Sequence, residues 1–333
     1  METQLENGEE VISRLMEVTA ADMEAVNGQI LERVRSHVAM VPEISSYLIE
    51  AGGKRLRPML TLVSARMFAH PNGNQVNYAA AVEFMHNATL LHDDVVDESE
   101  MRRGQPAARK IWGNQASVLV GDFLLGQAFM MMVETGDLSA LRTLSEAAAV
   151  IAEGEVFQLA RAGKLDTSDK DYMEIISAKT ATLFEAATRV GAMAGGAETD
   201  QQEAMALYGR ELGLAFQIVD DVLDYGGVRG TMGKNTGDDL REGKMTLPII
   251  LALKEATGEE RDFLASALGN GAADDRMLAR VLDIIQRYGG LQTAIARALD
   301  HARKAREALE PFADSGLRDI LEGVTFYCVA RVS

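Results

Sequence analysis

The sequence predicts an all-α protein. Helix-forming Ala, Leu, Met and Glu recur in long runs, six prolines and 5% aromatic residues do little to interrupt 333 positions, and no stretch sustains strand-like alternation. Helix ends are marked in order along the chain. Gly52-Gly53 follows a helix-periodic segment, as C-terminal glycines do, and Pro58 stands where the next helix is expected to begin. Ser168 with Asp171 three residues later reads as a capping box, opening a helix that runs toward Gly195-Gly196, and Gly289-Gly290 closes a further periodic segment. These marks yield on the order of ten or more helices. No linker, repeat or shift in composition divides them, so a single domain over residues 1–333 is expected, built as a large helical bundle.

Composition excludes several classes of function. Thirty-three Lys and Arg stand against fifty Asp and Glu, a formal net charge of −17, which disfavours attraction to nucleic acid or anionic lipid as a main activity. One cysteine, Cys328, allows no intrachain disulfide and no cysteine zinc cage, as suits a reducing cytoplasm. The opening METQLENGEE is acidic and polar, unlike a signal peptide. The most apolar stretch, 116–133, is interrupted by Asp122 and Gln127 and is expected to fall short of a membrane span. A soluble cytoplasmic protein is the expectation. One connection is anomalous: between Tyr225 and Lys244 glycines stand at 226, 227, 230, 233, 237 and 243. With Lys234, Asp238, Asp239 and Lys244 inside it, the segment reads as a functional lid.

The chemistry begins at His92-Asp93-Asp94-Val95-Val96-Asp97. Residues four apart share a helix face, so Asp93 and Asp97 are neighbours with Asp94 turned to the side, and His86 and Leu90 continue their face backwards. Like charges at this spacing repel, and Asp is a poor helix former, so a positive group is expected between them. Hard carboxylate oxygens suit magnesium, which keeps waters and is completed by substrate phosphates. The pattern recurs at Gln217, Asp220, Asp221 and Asp224. Both acidic groups interrupt strongly apolar helices, FMHNATLLHDD and GLAFQIVDD, which points to two walls of one central cavity with metals at its mouth.

A basic counterpart is Gly52-Gly53-Lys54-Arg55-Leu56-Arg57-Pro58, where a helix start adds its own preference for anions to Lys54 and Arg57. Arg102-Arg103 form a second cluster and Lys179-Thr180 a third site in mid-helix. In so acidic a chain, cations beside acidic motifs read as diphosphate clamps.

The segments GGKRLRP, EFMHNATLLHDDVVDESEMRRGQPA, LVGDFLL, FQIVDDVLDY and GKNTGDDLREGKMTLP, in unbroken order from about residue 45 to 250, resemble the motif series of the trans-isoprenyl diphosphate synthases, the polyprenyl synthetase family. The resemblance implies the isoprenoid synthase fold, a homodimer and a magnesium-dependent head-to-tail condensation of isopentenyl diphosphate onto an allylic diphosphate such as farnesyl diphosphate, with release of pyrophosphate. Carried over residue by residue, it implies that Lys54, Arg57, His86 and Arg103 hold isopentenyl diphosphate. Asp93, Asp94, Asp97, Asp220, Asp221 and Asp224 would hold magnesium, and Arg102, Lys179, Thr180, Gln217 and Lys234 would contact the allylic substrate. Relatives with a more basic C-terminus reach the isopentenyl site from there, whereas this chain ends YCVARVS with Arg331 alone.

Product length follows from the same helix. Thr89 and Met85 lie one and two turns before Asp93, about 6 and 12 Å along the axis, on the face that would line a tunnel for the growing tail. In the resembled family a bulky aromatic at the fifth position before the first aspartate motif marks short-chain enzymes; here that position is Ala88. The resemblance is therefore to the bacterial octaprenyl, solanesyl and decaprenyl synthases that make quinone side chains and release product through transient membrane contact. Met130-Met131-Met132 would form the tunnel floor or plain core. Rival readings are a shorter-chain synthase, a non-catalytic subunit of a heteromeric synthase, a terpene cyclase, and a metal phosphohydrolase built on His92-Asp93. Both aspartate motifs are intact, Lys54 and Arg57 serve no purpose in a cyclase, and only five histidines exist for a phosphohydrolase.

Overall fold

The computed structural model describes residues 2–68, 72–226, 237–269 and 273–332. Helices dominate as expected: α1 (Glu2–Arg33), α2 (Met40–Glu50), α3 (Leu56–Arg66) and α4 (Gln75–Val96) lead to a two-residue-per-strand hairpin, β1 (Met101–Arg102) with β2 (Gln105–Pro106). Then come α5 (Ala108–Glu134), α6 (Leu138–Arg161), α7 (Asp169–Ile176), a π turn (Ser177–Ala181), α8 (Thr182–Ala194) and α9 (Thr199–Gly226). The C-terminal part holds α10 (Asp238–Arg241), α11 (Leu247–Glu255), α12 (Gly258–Ala267), α13 (Asp275–Arg287), α14 (Gly290–Glu307) and α15 (Gly316–Val329).

Two apolar clusters form the interior. One surrounds α9 and includes Phe184, Tyr208, Leu212, Ile218 and Val324; the other surrounds α4 and includes Phe84, Met85, Ala88, Leu91, Leu124 and Met131. Helix α8 serves both, sending Phe184 into the first and Leu183, Ala187 and Val190 into the second. The two aspartate motifs therefore ride on helices anchored to one shared element.

The capping box at Ser168 and Asp171 is formed, with the Asp171 amide donating to Ser168 Oγ at 3.1 Å. Helix α3 begins at Leu56, two residues ahead of Pro58; proline is tolerated there because amides of the first turn have no intrahelical acceptor. Helix α5 departs from expectation: it is long and apolar enough to cross a membrane by length and composition, although 39% of its most apolar window is buried. Val120, Leu124, Ala128, Met131 and Met132 are among its inward residues, in the cluster around α4. Met130 is 53% exposed, so the three consecutive methionines do not share one environment. In the glycine-rich connection, α9 continues to Gly226 and α10 occupies Asp238–Arg241; Lys234 lies outside the described residues.

Candidate active site

The first aspartate motif closes α4, with Asp97 as its C-terminal cap. Asp93 and Asp97 share a face and Asp94 turns to the side, as a 3.6-residue period requires. Asp93 faces Lys179 at 3.7 Å, Asp97 accepts from Lys244 at 2.8 Å, and Asp94 accepts from Arg102 Nε at 2.9 Å with its side chain wholly buried. Burial raises the Asp94 acid, and Arg102 opposes that rise. At Asp97 burial also pushes upward, but Lys244 and Lys179 outweigh it and the group titrates below the usual carboxylate range.

On α9 the second motif is arranged differently. Asp220 meets Arg331 at 3.0 Å, delivered by the chain just beyond α15. Asp221 is buried and accepts from Tyr172 Oη at 2.6 Å and Gln217 Nε2 at 2.8 Å. Burial, then the charge of Asp239, pushes its acid up to about 8. Asp224 accepts from the Asp239 amide at 3.3 Å.

Two bridges join the motifs. Thr180 donates to Gln217 at 2.7 Å while its neighbour Lys179 reaches Asp93 and donates to Glu155 at 2.8 Å. Lys244, whose amide donates to Asp239 O at 2.8 Å, crosses to Asp97. The first bridge depends on the π turn, where Thr182 Oγ1 donates to Ser177 O five residues back. Such wide turns need room, and glycines on both neighbouring helices provide it: a Cβ at Gly154 of α6 would lie 2.6 Å from Ala178 Cβ, and one at Gly213 of α9 would lie 2.7 Å from Ala181 Cα.

The basic wall stands beside Asp220. Arg57 stacks on the Phe184 ring at 4.3 Å and points Nη1 toward His86 Nε2 at 3.4 Å. Burial lowers Arg57 to about 10, and burial with the neighbouring guanidinium groups of Arg57, Arg103 and Arg102 keeps His86 well below its usual value, hence neutral. Lys54 lies over the Tyr327 ring at 4.3 Å, with burial and the charge of Arg331 lowering its ammonium. Arg103 bonds the Gly52 carbonyl, and a Cβ at Gly53 would lie 2.8 Å from its guanidinium. Arg102 and Arg103 thus serve opposite sides. The hairpin explains this: Arg103 (φ 53) and Gly104 (φ 77) both adopt the left-handed region, as a tight type I′ turn needs, so the arginine in the strand and the arginine in the turn project differently.

Met85 and Ala88 are each 1% exposed, within the cluster around α4. Thr89 is half-buried and donates to His86 O at 2.8 Å. His92 turns away from Asp93 toward α5, meeting Val118 O at 3.2 Å and Asp122 at 3.4 Å, which removes the His-Asp pair that a phosphohydrolase would use. Sequence reasoning assigned no role in the site to Glu155, Tyr172 or Lys244. Glu155 and Tyr172 carry no motif signal, and Lys244 was visible only as part of the lid segment.

Acidic helices joined by cationic bridges stand beside a separate group of basic side chains on an all-helical frame, and its relatives show that frame to be the isoprenoid synthase fold and the protein to be a prenyltransferase. The chain belongs to the polyprenyl synthetase family, whose profile matches residues 38–285. It is 43% identical over 322 residues to octaprenyl diphosphate synthase of Escherichia coli (strain K12), covering 96% of this chain and 99% of that one. A polyprenyl synthase from Caulobacter crescentus CB15, solved with calcium and isoprenyl diphosphate, superimposes with TM-score 0.92 at 47% identity, over 97% of this chain and 98% of that one. A decaprenyl diphosphate synthase from Rhodobacter capsulatus gives TM-score 0.92 at 48% identity, over 97% and 99%.

Proposed function

We propose that this prenyltransferase is a magnesium-dependent, long-chain all-trans polyprenyl diphosphate synthase. On this reading one polyprenyl synthetase domain spans residues 1–333, works in the cytoplasm, and extends an allylic primer, farnesyl diphosphate, with isopentenyl diphosphate to make quinone side chains. The observation that carries it is the division of adjacent Arg102 and Arg103 between the Asp94 side and the Gly52–Arg57 side, which supports two separate anion sites. Octaprenyl and decaprenyl diphosphate synthases among the relatives support the long product.

The donor set fits magnesium. Asp93 and Asp97 offer hard oxygens one turn apart, and each faces an ammonium where a bound cation's charge is wanted. Among the described residues no three acidic, His or Cys side chains converge as a ready cage, as befits a metal whose shell is completed by phosphate and water. Asp93, Asp97, Asp220 and Asp224 would ligate, while buried Asp94 and Asp221 orient Arg102 and Gln217. Bound magnesium stabilises the charge that builds on the departing pyrophosphate.

Arg102, Lys179, Thr180, Gln217 and Lys244, with Lys234 carried over from the resemblance, hold the allylic diphosphate, so its C1–O bond breaks with the electron pair leaving beside the cations Arg102, Lys179 and Lys244. Lys54, Arg57, Arg103 and neutral His86 hold isopentenyl diphosphate with its double bond toward C1. That π pair forms the new C–C bond, and the resulting cation loses a proton to pyrophosphate, restoring a double bond. No protein base is required.

Purified protein given magnesium, farnesyl diphosphate and labelled isopentenyl diphosphate is expected to yield a ladder ending at long products; unchanged substrates would defeat the synthase assignment, and products that stop after the first additions would defeat the long-chain one. Ala88→Tyr tests the tunnel. If Ala88 borders it, the variant stays stable and stops a few units along; if Ala88 is closed core, overpacking costs about 1–3 kcal/mol and product length is unaltered.

A homodimer belongs to the same proposal. Leu119 (67% exposed) and Val133 (63%) on α5, with Val156 and Leu159 on the adjoining α6, form an apolar surface that a second copy would cover. Leu119→Asp with Val156→Asp is expected to halve the mass seen by light scattering, and an unchanged mass would place the interface elsewhere.

A further inference from the structure

Glu155 lies outside every sequence motif, yet it reaches the first acidic group from α6. Gly154 makes that possible by letting α6 close on the π turn, where a Cβ would meet Ala178 at 2.6 Å. The contact is asymmetric. Lys179 Nζ donates to Glu155 Oε2 at 2.8 Å and stands 3.7 Å from Asp93 Oδ2, beyond hydrogen-bond reach. All three side chains are largely shielded, at 20%, 19% and 16% exposure for Glu155, Lys179 and Asp93. Glu155 Oε1 is buried with no hydrogen-bond partner. Half-satisfied buried carboxylates are costly, and this one adds like charge beside Asp93 and Asp97, so stability alone does not account for it.

Lysine is a point charge on a flexible four-carbon stem, and without an anchor it follows the nearest carboxylate. Here the nearest would be Asp93. We propose that Glu155 is a positioning residue: it anchors Lys179 at the edge of the allylic diphosphate site and keeps the ammonium from closing onto Asp93, leaving that carboxylate available for metal. This rests on the reading of Lys179 as an allylic diphosphate contact.

The test uses the full-length enzyme with magnesium and farnesyl diphosphate, without isopentenyl diphosphate, so that calorimetry reads binding and not turnover. Glu155→Ala should weaken farnesyl diphosphate binding by about tenfold, the lower end for loss of a supporting partner of a site residue. Glu155→Gln, which keeps an accepting oxygen, should recover part of that loss. In separate turnover assays, the KM for isopentenyl diphosphate should stay within about twofold while the allylic KM follows the binding constant. In a Lys179→Ala background, Glu155→Ala should add nothing, because its effect passes through the lysine. Full additivity of the two substitutions overturns the proposal, as does an equal loss for both substrates with lowered thermal stability. If Lys179→Ala itself leaves farnesyl diphosphate binding unchanged, the reading of Lys179 fails and the proposal with it. If Lys179→Ala weakens binding and Glu155→Ala does not, Glu155 alone is misassigned.

Discussion

The second aspartate of each motif is buried, but the two are neutralised by different means. Asp94 meets the guanidinium of Arg102, whereas Asp221 is held by the neutral donors Tyr172 and Gln217. Position in the chain explains the contrast. Helix α4 ends at its motif, so the hairpin folds straight back and returns an arginine. The α9 motif lies inside its helix, where the partners nearest to hand are a tyrosine of α7 and a glutamine one turn earlier. Burial therefore raises both acids, but an adjacent cation opposes the rise at Asp94, and Asp239 adds to it at Asp221, which reaches about 8. Burial thus favours the neutral acid more at Asp221, where Tyr172 and Gln217 are the opposing donors, than at Asp94, where the opposing group is a cation.

The largest expected effect comes from breaking the charged member of this pair. Asp94→Ala strands Arg102, only 19% exposed, and should cost about 3 kcal/mol in denaturant unfolding, whereas Asp221→Asn mimics the protonated acid and should cost less than about 1 kcal/mol. Equal losses would show that the two aspartates are neutralised alike. Next come the outward-facing partners. Asp93→Asn and Asp220→Asn should each lower kcat by on the order of 100-fold with stability nearly unchanged, and chelation should abolish turnover; a mild effect at either position would free that motif from metal binding. The smallest effect separates Tyr172 from the rest. Tyr172→Phe removes one hydrogen bond to Asp221 and should cost about 1 kcal/mol, largely abolished when Asp221→Asn is already present.

Much of this was legible in the chain, for local reasons. Periodicity placed Asp93 and Asp97 together and Asp94 aside, and the Ser168 capping box is formed as spelled. Long-range partners were not legible. Asp97 finds Lys244 147 residues away and Asp220 finds Arg331 111 residues away, and no spacing rule spans such distances. Arg331 illustrates the limit: a lone arginine in YCVARVS is a weak signal, yet α15 brings it to the second motif. His92 bears on the rejected phosphohydrolase reading: that reading pairs it with adjacent Asp93, but one residue is about 100° around a helix, and the ring turns to α5, where Gly121 leaves space for it. Glu155 carried no signal because its role arises from a glycine next to it and a wide turn opposite.

The β1–β2 hairpin has a mechanical consequence. Arg102 and Arg103 are linked by one peptide unit, which fixes their Cα atoms about 3.8 Å apart, and the tight turn at Arg103 and Gly104 leaves little slack between them. On the proposed assignment the two diphosphates would therefore be held from neighbouring residues of one turn, so that a change in the turn would be felt at both substrates at once.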